Sequence, residues 1–194
     1  MKKCIISFLL VLTLLGATVC SAANYGLNKS ATVKGISVAV TSCKLSGVVG
    51  DRTKDNYSKK NGPYFALGSK IVKASDYNQI TLSFKISNKT KKVYNFSRIG
   101  LKVKLPDGTD LSNFIDASSE NEKQVSAGAT ENVLLKFYKE NKVKANKLIL
   151  TYDFLDYTDG LNSDIYSVAL GKMTVPAFNK KYPSANINYE VPLK

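Results

Sequence analysis

Lysine is the residue type whose number and spacing point most directly to a chemistry in this chain. One stretch without acidic residues carries seven basic side chains, which are Lys85, Lys89, Lys91, Lys92, Arg98, Lys102 and Lys104. Lysines that alternate along a strand share its solvent face, so they predict a positive sheet face that attracts phosphate- or sulfate-bearing polymers. The alternative interpretation is that surface strands carry lysine to remain soluble and to avoid edge pairing.

A second candidate contact lies in the polar segment 47–63, which has few large apolar residues and is predicted to be a long surface loop. Unstructured loops of this length are uncommon in compact domains, and those that persist tend to be functional or mobile. Tyrosine on such a loop is a good contact residue for glycans or proteins. The candidate contact residues here are Arg52, Lys54, Tyr57, Lys59 and Lys60.

The chain contains no histidine, which excludes the catalytic sites and metal sites that depend on imidazole. It also lacks a Ser-x-x-Lys spacing, a Gly-x-Ser-x-Gly elbow and a glycine-rich phosphate loop. The sequence therefore predicts a protein that is not an enzyme and that has no cofactor and no metal.

Oxygen ligands gather around Gly160, and calcium prefers such ligands. Their spacing does not match an EF-hand loop, and an Asp-Gly pair favours a tight turn. We interpret the segment as a hairpin turn, with a calcium site as the alternative. The residues concerned are Asp153, Asp156, Asp159, Asn162 and Asp164.

Alternating apolar residues set the fold class. Two runs, 80–86 and 99–105, place apolar side chains on one face and polar ones on the other, which is the pattern of half-buried antiparallel strands. The same alternation predicts strands at 33–40, 133–137, 148–154, 166–170 and 187–191. About seven strands without a clear amphipathic helix predict an all-β, immunoglobulin-like antiparallel β-sandwich.

The alternation slips near residues 41–45, where a β-bulge would return Cys43 to the inward face. Cys43 is the single cysteine after residue 23, so it has no intramolecular partner there. We expect it to be a small core or edge residue. An intermolecular disulfide and a reactive thiol are the alternatives.

The N-terminal segment 1–23 has the layout of a secretory signal peptide, with Lys2 and Lys3 before an apolar run and a cleavage site after Ala22 or Ala23. The mature protein is expected to be secreted, periplasmic or at the cell surface, with no transmembrane segment. We expect the sandwich to span 24–178, with 179–194 as a C-terminal extension or an extra edge strand. The formal charge is +13, or +11 without the two signal lysines, which favours polyanions as partners.

Three turns carry a family resemblance. They are the Asn88–Val93 turn, the Pro106-Asp107-Gly108 turn and the Val125–Ala129 turn before a strand. Their order resembles that of bacterial exported domains of the DUF4352 type, which are similar to a secreted mycobacterial antigen family. The resemblance implies an immunoglobulin-like sandwich and an exported address, and it supplies no catalytic residues.

Together these patterns predict an exported, non-enzymatic binding module of the bacterial envelope or secretome. Its expected partner is an anionic glycan or other envelope polymer, or an acidic protein surface. Nucleic acid is the weaker candidate, because export removes the chain from most of it. The alternative is a structural or assembly component whose segment 187–191 adds a strand to a neighbour's sheet edge.

Overall fold

Strands account for most of the regular structure in the computed structural model, which describes residues 24–116, 119–182 and 185–194. The predicted signal peptide at 1–23 lies outside the described residues. The strands are β1 (Asn24–Tyr25), β2 (Ser30–Val33), β3 (Ile36–Gly47), β4 (Gly50–Arg52), β5 (Ser58–Gly62), β6 (Tyr64–Leu67), β7 (Lys70–Lys73), β8 (Tyr77–Asn88), β9 (Tyr94–Ser97), β10 (Leu101–Lys104), β11 (Glu122–Val125), β12 (Thr130–Glu140), β13 (Lys147–Asp153) and β14 (Asn186–Pro192). The helices are α1 (Asp159–Ala169) and α2 (Val175–Lys181).

Two four-stranded sheets pack face to face around one core. Sheet I has the order β1-β14-β13-β10, and sheet II has the order β12-β8-β3-β2. Their strand pairs are antiparallel except that β1 runs parallel to β14. The Tyr189 hydroxyl of sheet I donates a hydrogen bond across the core to the Val38 carbonyl of sheet II at 2.9 Å. The prediction of an all-β antiparallel sandwich is confirmed.

The first alternating run forms the centre of sheet II. Its apolar residues, from Ile80 to Ile86, are completely buried in β8, while Lys85 faces solvent. The second run is shorter than predicted, because residues 98–100 form a 3₁₀ turn that leaves Ile99 exposed. Strand β10 therefore begins at Leu101, and Leu101 and Val103 face the core.

The predicted bulge in β3 is present. The register with β8 shifts between Val40 and Ser42, after which Cys43 lies opposite Leu82. This shift returns Cys43 to the inward face, where it is buried and unpaired. Cys43 is thus a core residue, as the alternation predicts.

The predicted surface loop 47–63 is instead mostly β structure. Strands β4 and β5 form a hairpin within a small outlying sheet of order β5-β4-β6-β7. Gly50 and Gly62 permit this pairing, because a Cβ on either would lie within 2.4 Å of a backbone oxygen. The outlying sheet packs against sheet II through Phe65 and Tyr138, whose ring centroids are 4.5 Å apart.

The prediction of a strand at 166–170 is wrong, because these residues lie in or next to helix α1. The hydroxyl of Thr158 accepts a hydrogen bond from the Leu161 amide and caps the helix. Leu161, Ile165 and Val168 are buried at helical spacing and pack with Phe178 of α2 in a separate small core. Of the alternating residues on which the strand prediction relied, Tyr166 and Leu170 are exposed, whereas Val168 is buried in the small core.

The C-terminal segment belongs to the sandwich and is neither a tail nor an added edge strand. Strand β14 lies between β13 and β1, and Ile187, Tyr189 and Val191 are buried in the main core. The predicted domain boundary at 178/179 falls inside helix α2. The segment proposed for pairing with a neighbour is therefore already paired within its own chain.

The reactivity of Cys43 tests whether this residue is buried in the core. Burial raises the pKa of its thiol to about 11. At pH 8 we expect a thiol reagent to label the folded protein at least about 100-fold more slowly than the unfolded protein, since the thiolate is the reactive form. The measurement is the rate of reaction with 5,5′-dithiobis(2-nitrobenzoate), in a chain with Cys4 and Cys20 replaced by serine.

The matched control moves the thiol along the same strand, by combining Cys43→Ser with Ser46→Cys, because Ser46 is exposed on β3. This control should react rapidly when folded. Equal rates for the two positions would contradict the burial of Cys43.

Candidate functional site

The lysines that sequence alternation grouped on one face are divided between the two sides of the sandwich. Lys85 lies on the outer face of sheet II, whereas Lys102 and Lys104 lie on the outer face of sheet I. The two outer faces point in opposite directions because the sheets pack through their inner faces. The prediction of one continuous lysine face is therefore wrong, since β8 and β10 belong to different sheets.

Arg98 is also separate from the lysines, because it is held by neighbouring loops. Its Nε donates to the Asn121 side chain at 3.0 Å, and its Nη1 donates to the Ser112 carbonyl at 3.3 Å. These contacts and partial burial give Arg98 a structural environment. Of the predicted set, Lys89, Lys91 and Lys92 remain together on one exposed turn.

A second turn adds a fourth lysine to this group. Strands β2 and β3 are joined at Lys34 and Gly35, whose φ angles of 48° and 84° are those of a tight hairpin turn. The Gly35 carbonyl accepts a hydrogen bond from the Lys89 amide at 2.8 Å, so the two turns contact each other. We call the surface formed by Lys34, Lys89, Lys91 and Lys92 the basic end. The predicted strand at 33–40 therefore begins only at Ile36, and Lys34, which lies in the turn before it, was not among the predicted contact residues.

The side chain of Asn88 fixes the shape of the turn that carries three of these lysines. Asn88 is 1% exposed. Its Nδ2 donates to the carbonyls of Lys92 at 2.7 Å and Val125 at 2.9 Å. Its Oδ1 accepts from the amide of Thr90 at 2.9 Å and from the Thr90 hydroxyl at 2.7 Å. The amide thus satisfies both donors and its acceptor within the chain, which holds the turn in one conformation.

A cleft of about 320 Å³ adjoins the basic end, between the sandwich and helix α2. Its walls are mainly apolar, and two lysines of the basic end, Lys34 and Lys92, line it. Val93 is 46% exposed between Lys92 and the buried Tyr94. The apolar side chains in the lining are Val33, Ile36, Val93, Tyr94, Phe154, Leu155 and Tyr182.

The other charged groups of the cleft are already engaged. Asp156 accepts hydrogen bonds from the backbone and side-chain nitrogens of Asn95, each at 2.8 Å. Lys181 pairs with Asp164 at 2.6 Å. Within the described part of the chain, neither Lys34 nor Lys92 forms an ion pair with a carboxylate. The cleft therefore offers two lysines to an anion that enters it.

The predicted contact loop lies at the other end of the molecule. Tyr57 is 73% exposed at the tip of the β4–β5 hairpin, and Lys54, Lys59 and Lys60 are also exposed, while Arg52 is partly buried beside Asp51. The outlying sheet packs near Tyr77, where β8 begins, whereas the basic end lies where β8 finishes at Asn88. A 12-residue strand is about 36 Å long, so these two candidate surfaces are far apart.

The prediction of a hairpin turn around Gly160 is wrong, because this segment forms the approach to helix α1 and the helix itself. Asp153 accepts from the Leu155 amide, while Asp156 and Asp164 have the partners given above. Among the described residues there is no group of three or more His, Cys, Asp or Glu side chains placed to hold a metal ion. The described aspartates of this segment form no such group, and the side chain of Asp159 lies outside the described residues.

Two carboxylates, Asp76 and Glu140, line an open cavity of about 590 Å³ beside the outlying sheet. Glu140 is neutralised by Lys142, with 2.7 Å between Nζ and Oε2. The pKa of Tyr77 is raised by burial and by Glu140. One of the two carboxylates of this cavity is therefore paired with a lysine ammonium.

We expect Asn88→Ala to lower the free energy of unfolding by about 2–4 kcal/mol, because it removes the side-chain hydrogen bonds to the buried Val125 carbonyl and to the Thr90 amide, and one of the two hydrogen bonds to the Lys92 carbonyl. The measurement is urea denaturation followed by circular dichroism. Asn132→Ala, at an exposed position of β12, is the control and should change stability by less than about 0.5 kcal/mol. Equal effects at the two positions would show that Asn88 does not hold the turn.

Asp153 predicts a pH-dependent stability. Burial raises its pKa to about 6, against smaller opposing effects of the Leu155 amide and Lys102. The folded state therefore keeps a proton that the unfolded chain loses, so this group makes stability fall as pH rises from about 4 to 6.

We expect Asp153→Asn to stabilise the protein by about 1–2 kcal/mol at pH 7 and to have little effect at pH 4. Urea denaturation at the two pH values measures this difference. The exposed Asp55→Asn serves as the control. A gain that is the same at both pH values would contradict the buried carboxyl.

Comparisons with known proteins reveal likeness in fold. No protein-family model matches the chain, and a search of curated proteins finds no match. The structure of the yjhA protein from Bacillus subtilis is 11% identical, with a TM-score of 0.52 over 88% of this chain and 99% of that one. A β-sandwich protein from Clostridium difficile 630 is 10% identical over 90% of this chain and 97% of that one, with a TM-score of 0.42. At these identities the similarity to yjhA concerns the fold alone.

Proposed function

We propose that this chain is a non-enzymatic binding module that acts outside the cytoplasm and holds anionic polymers at its basic end. The observation that carries the proposal is the contact between two lysine-bearing turns beside an apolar cleft. The signal-like N-terminal sequence supports an exported location. Among the described residues, no helix is long and apolar enough to span a membrane.

Positive and negative charges are balanced differently at the basic end and on the sheet faces. The two turns, at 33–36 and 88–93, contain four lysines and no acidic residue. On the outer face of sheet I, by contrast, Glu190 pairs with Lys147, and Asp153 lies close enough to Lys102 for their charges to interact. A polymer with repeating negative charges gains most where cations are clustered and unpaired, which favours the basic end.

The chemistry of lysine suggests how selective this binding is. A lysine ammonium is a strongly hydrated point charge on a flexible stem, whereas arginine provides the planar fork used in bidentate recognition. Each exposed contact of this kind contributes about 0.2–1 kcal/mol. We therefore expect an affinity that sums several weak contacts and that responds strongly to salt. A sulfated or phosphorylated polymer fits this surface better than a single small anion.

The cleft gives the site a second kind of contact. Val93 and the rings lining the cleft present apolar surface next to Lys34 and Lys92. A sugar or lipid-linked unit of the polymer would bury apolar area there while its charges contact the lysines. This combination distinguishes the basic end from the lysines on the sheet faces.

We test the proposal with heparin as the probe polymer. The variant Lys34→Asn, Lys89→Gln, Lys91→Gln, Lys92→Gln removes the charge of the basic end, and asparagine suits the positive φ of residue 34. We expect heparin binding to weaken at least about tenfold, since four contacts of this kind are lost. Isothermal titration calorimetry at two salt concentrations measures the change, and the wild-type affinity should fall at the higher one.

The matched control carries Lys44→Gln, Lys85→Gln, Lys102→Gln and Lys104→Gln, which remove the same charge from exposed positions on the sheet faces. It should retain most of the wild-type affinity. Equal weakening of the two variants would show diffuse attraction by net charge and would overturn the proposed site. Loss of binding only on neutralising Lys54, Lys59 and Lys60 would transfer the site to the hairpin.

A further inference from the structure

A small cavity lies at the end of the sandwich opposite the basic end. Its volume is about 180 Å³, and most of its lining is apolar. We call it the Lys139 cavity, because it contains one buried basic residue. The lining residues that matter here are Leu105, Leu111, Phe114, Val143, Lys139 and Glu140. Phe114 is 40% exposed, so part of the lining lies at the protein surface.

Lys139 is an unusual residue for this position. It lies in β12 opposite Asn78, two residues after the core residue Phe137, and therefore on the inward side of the strand. Lys139 is 5% exposed. Lysine is almost never buried to this extent without a partner of opposite charge. The pKa of Lys139 is lowered by burial and by the nearby Lys144.

The contacts of Lys139 use only some of the hydrogen-bond donors of its ammonium group. Its Nζ donates hydrogen bonds to the carbonyls of Glu140 at 2.9 Å and Val143 at 2.6 Å. An ammonium has three donors, so one remains. No carboxylate of residues 24–116, 119–182 and 185–194 pairs with it, and the neighbouring Glu140 is engaged by Lys142.

We propose that the Lys139 cavity binds a small monocarboxylate with a compact apolar body. A buried cation without a counter-charge is costly, and a ligand carboxylate would supply that charge together with an acceptor for the remaining donor. The apolar body would fill the space between Leu105, Leu111 and Val143. A cavity of about 150 Å³ with aliphatic walls holds benzene, so the volume suits a ligand the size of benzoate. A charged polymer does not fit, so this site is independent of the basic end.

A purely structural role accounts for only part of these observations. The two carbonyl contacts of Lys139 help to close the turn in which the Val143 amide donates to the Glu140 carbonyl. That role would require neither a mainly apolar cavity lined by Lys139 nor a third ammonium donor beyond the two carbonyl contacts. The two interpretations differ in one measurable respect, which is whether the folded protein prefers a carboxylate to a neutral ligand of the same shape.

The experiment titrates the full chain with benzoate and, separately, with benzyl alcohol, its uncharged counterpart. Methyl NMR signals of Leu105, Leu111 and Val143 report on the cavity. We expect benzoate to shift these signals at millimolar concentration and to bind at least about tenfold more tightly than benzyl alcohol, because it forms a charge-assisted hydrogen bond. Lys139→Met, which keeps the length of the side chain, should remove that preference.

A second variant tests the proposal independently, in case Lys139→Met fails to fold. Val143→Phe fills a partly exposed wall of the cavity and leaves Lys139 in place, so it should abolish benzoate binding while the protein stays folded. The fourfold variant of the basic end should bind benzoate normally, which separates this proposal from the polymer site. Absence of methyl shifts at 20 mM benzoate, or equal affinity for the two ligands, would overturn the proposal.

Discussion

The buried amide of Asn88 is the interaction on which the candidate site depends. It lies at the end of β8, the strand in the middle of sheet II, and connects the 88–92 turn to the carbonyl of Val125 in β11. Such an amide stabilises only when all its partners are present, so it permits one arrangement of the turn. That arrangement lets the Lys89 amide reach Gly35 and brings Lys34 beside Lys92. A small polar network in the core thus determines where the surface lysines cluster.

The topology of the sandwich determines where the remaining charge lies. Strands β8 and β10 are close in sequence but belong to opposite sheets, so Lys85 and Lys102 face away from each other. Lysines that are close in the sequence are therefore divided between the outer faces of the two sheets. Lys34 and Lys89, which are far apart in the sequence, lie together at the basic end. The same topology leaves Lys139 on the inward side of β12 at the opposite end. Clustering of charge in this protein is a consequence of turn docking, and strand alternation alone does not produce it.

The sequence predicted the structure correctly where the local apolar pattern matches the burial of the same residues in the fold. Alternation identified β8, and the slip in its partner predicted the bulge that buries Cys43. It failed at Tyr166, Val168 and Leu170, whose alternation falls on a helix that is capped by Thr158 and that buries Val168 while exposing the other two. The sheet to which a strand belongs depends on long-range pairing that no local pattern encodes. The division of the lysines between two sheets could therefore not be predicted from the sequence. Long-range pairing also produces the contact between Lys89 and Gly35 and the cavity around Lys139, so neither could be predicted from local patterns.

The central claim is that the contacting turns form one anion-binding surface, and the most direct test is to map bound polymer onto the backbone. Amide chemical shifts of the isotopically labelled protein, recorded during addition of a defined heparin oligosaccharide, provide that map. The account predicts that the largest shifts fall at residues 33–36 and 88–93 and extend to the cleft at 154–156. Shifts distributed over Lys85, Lys102 and Lys104, or confined to the hairpin around Tyr57, would contradict it.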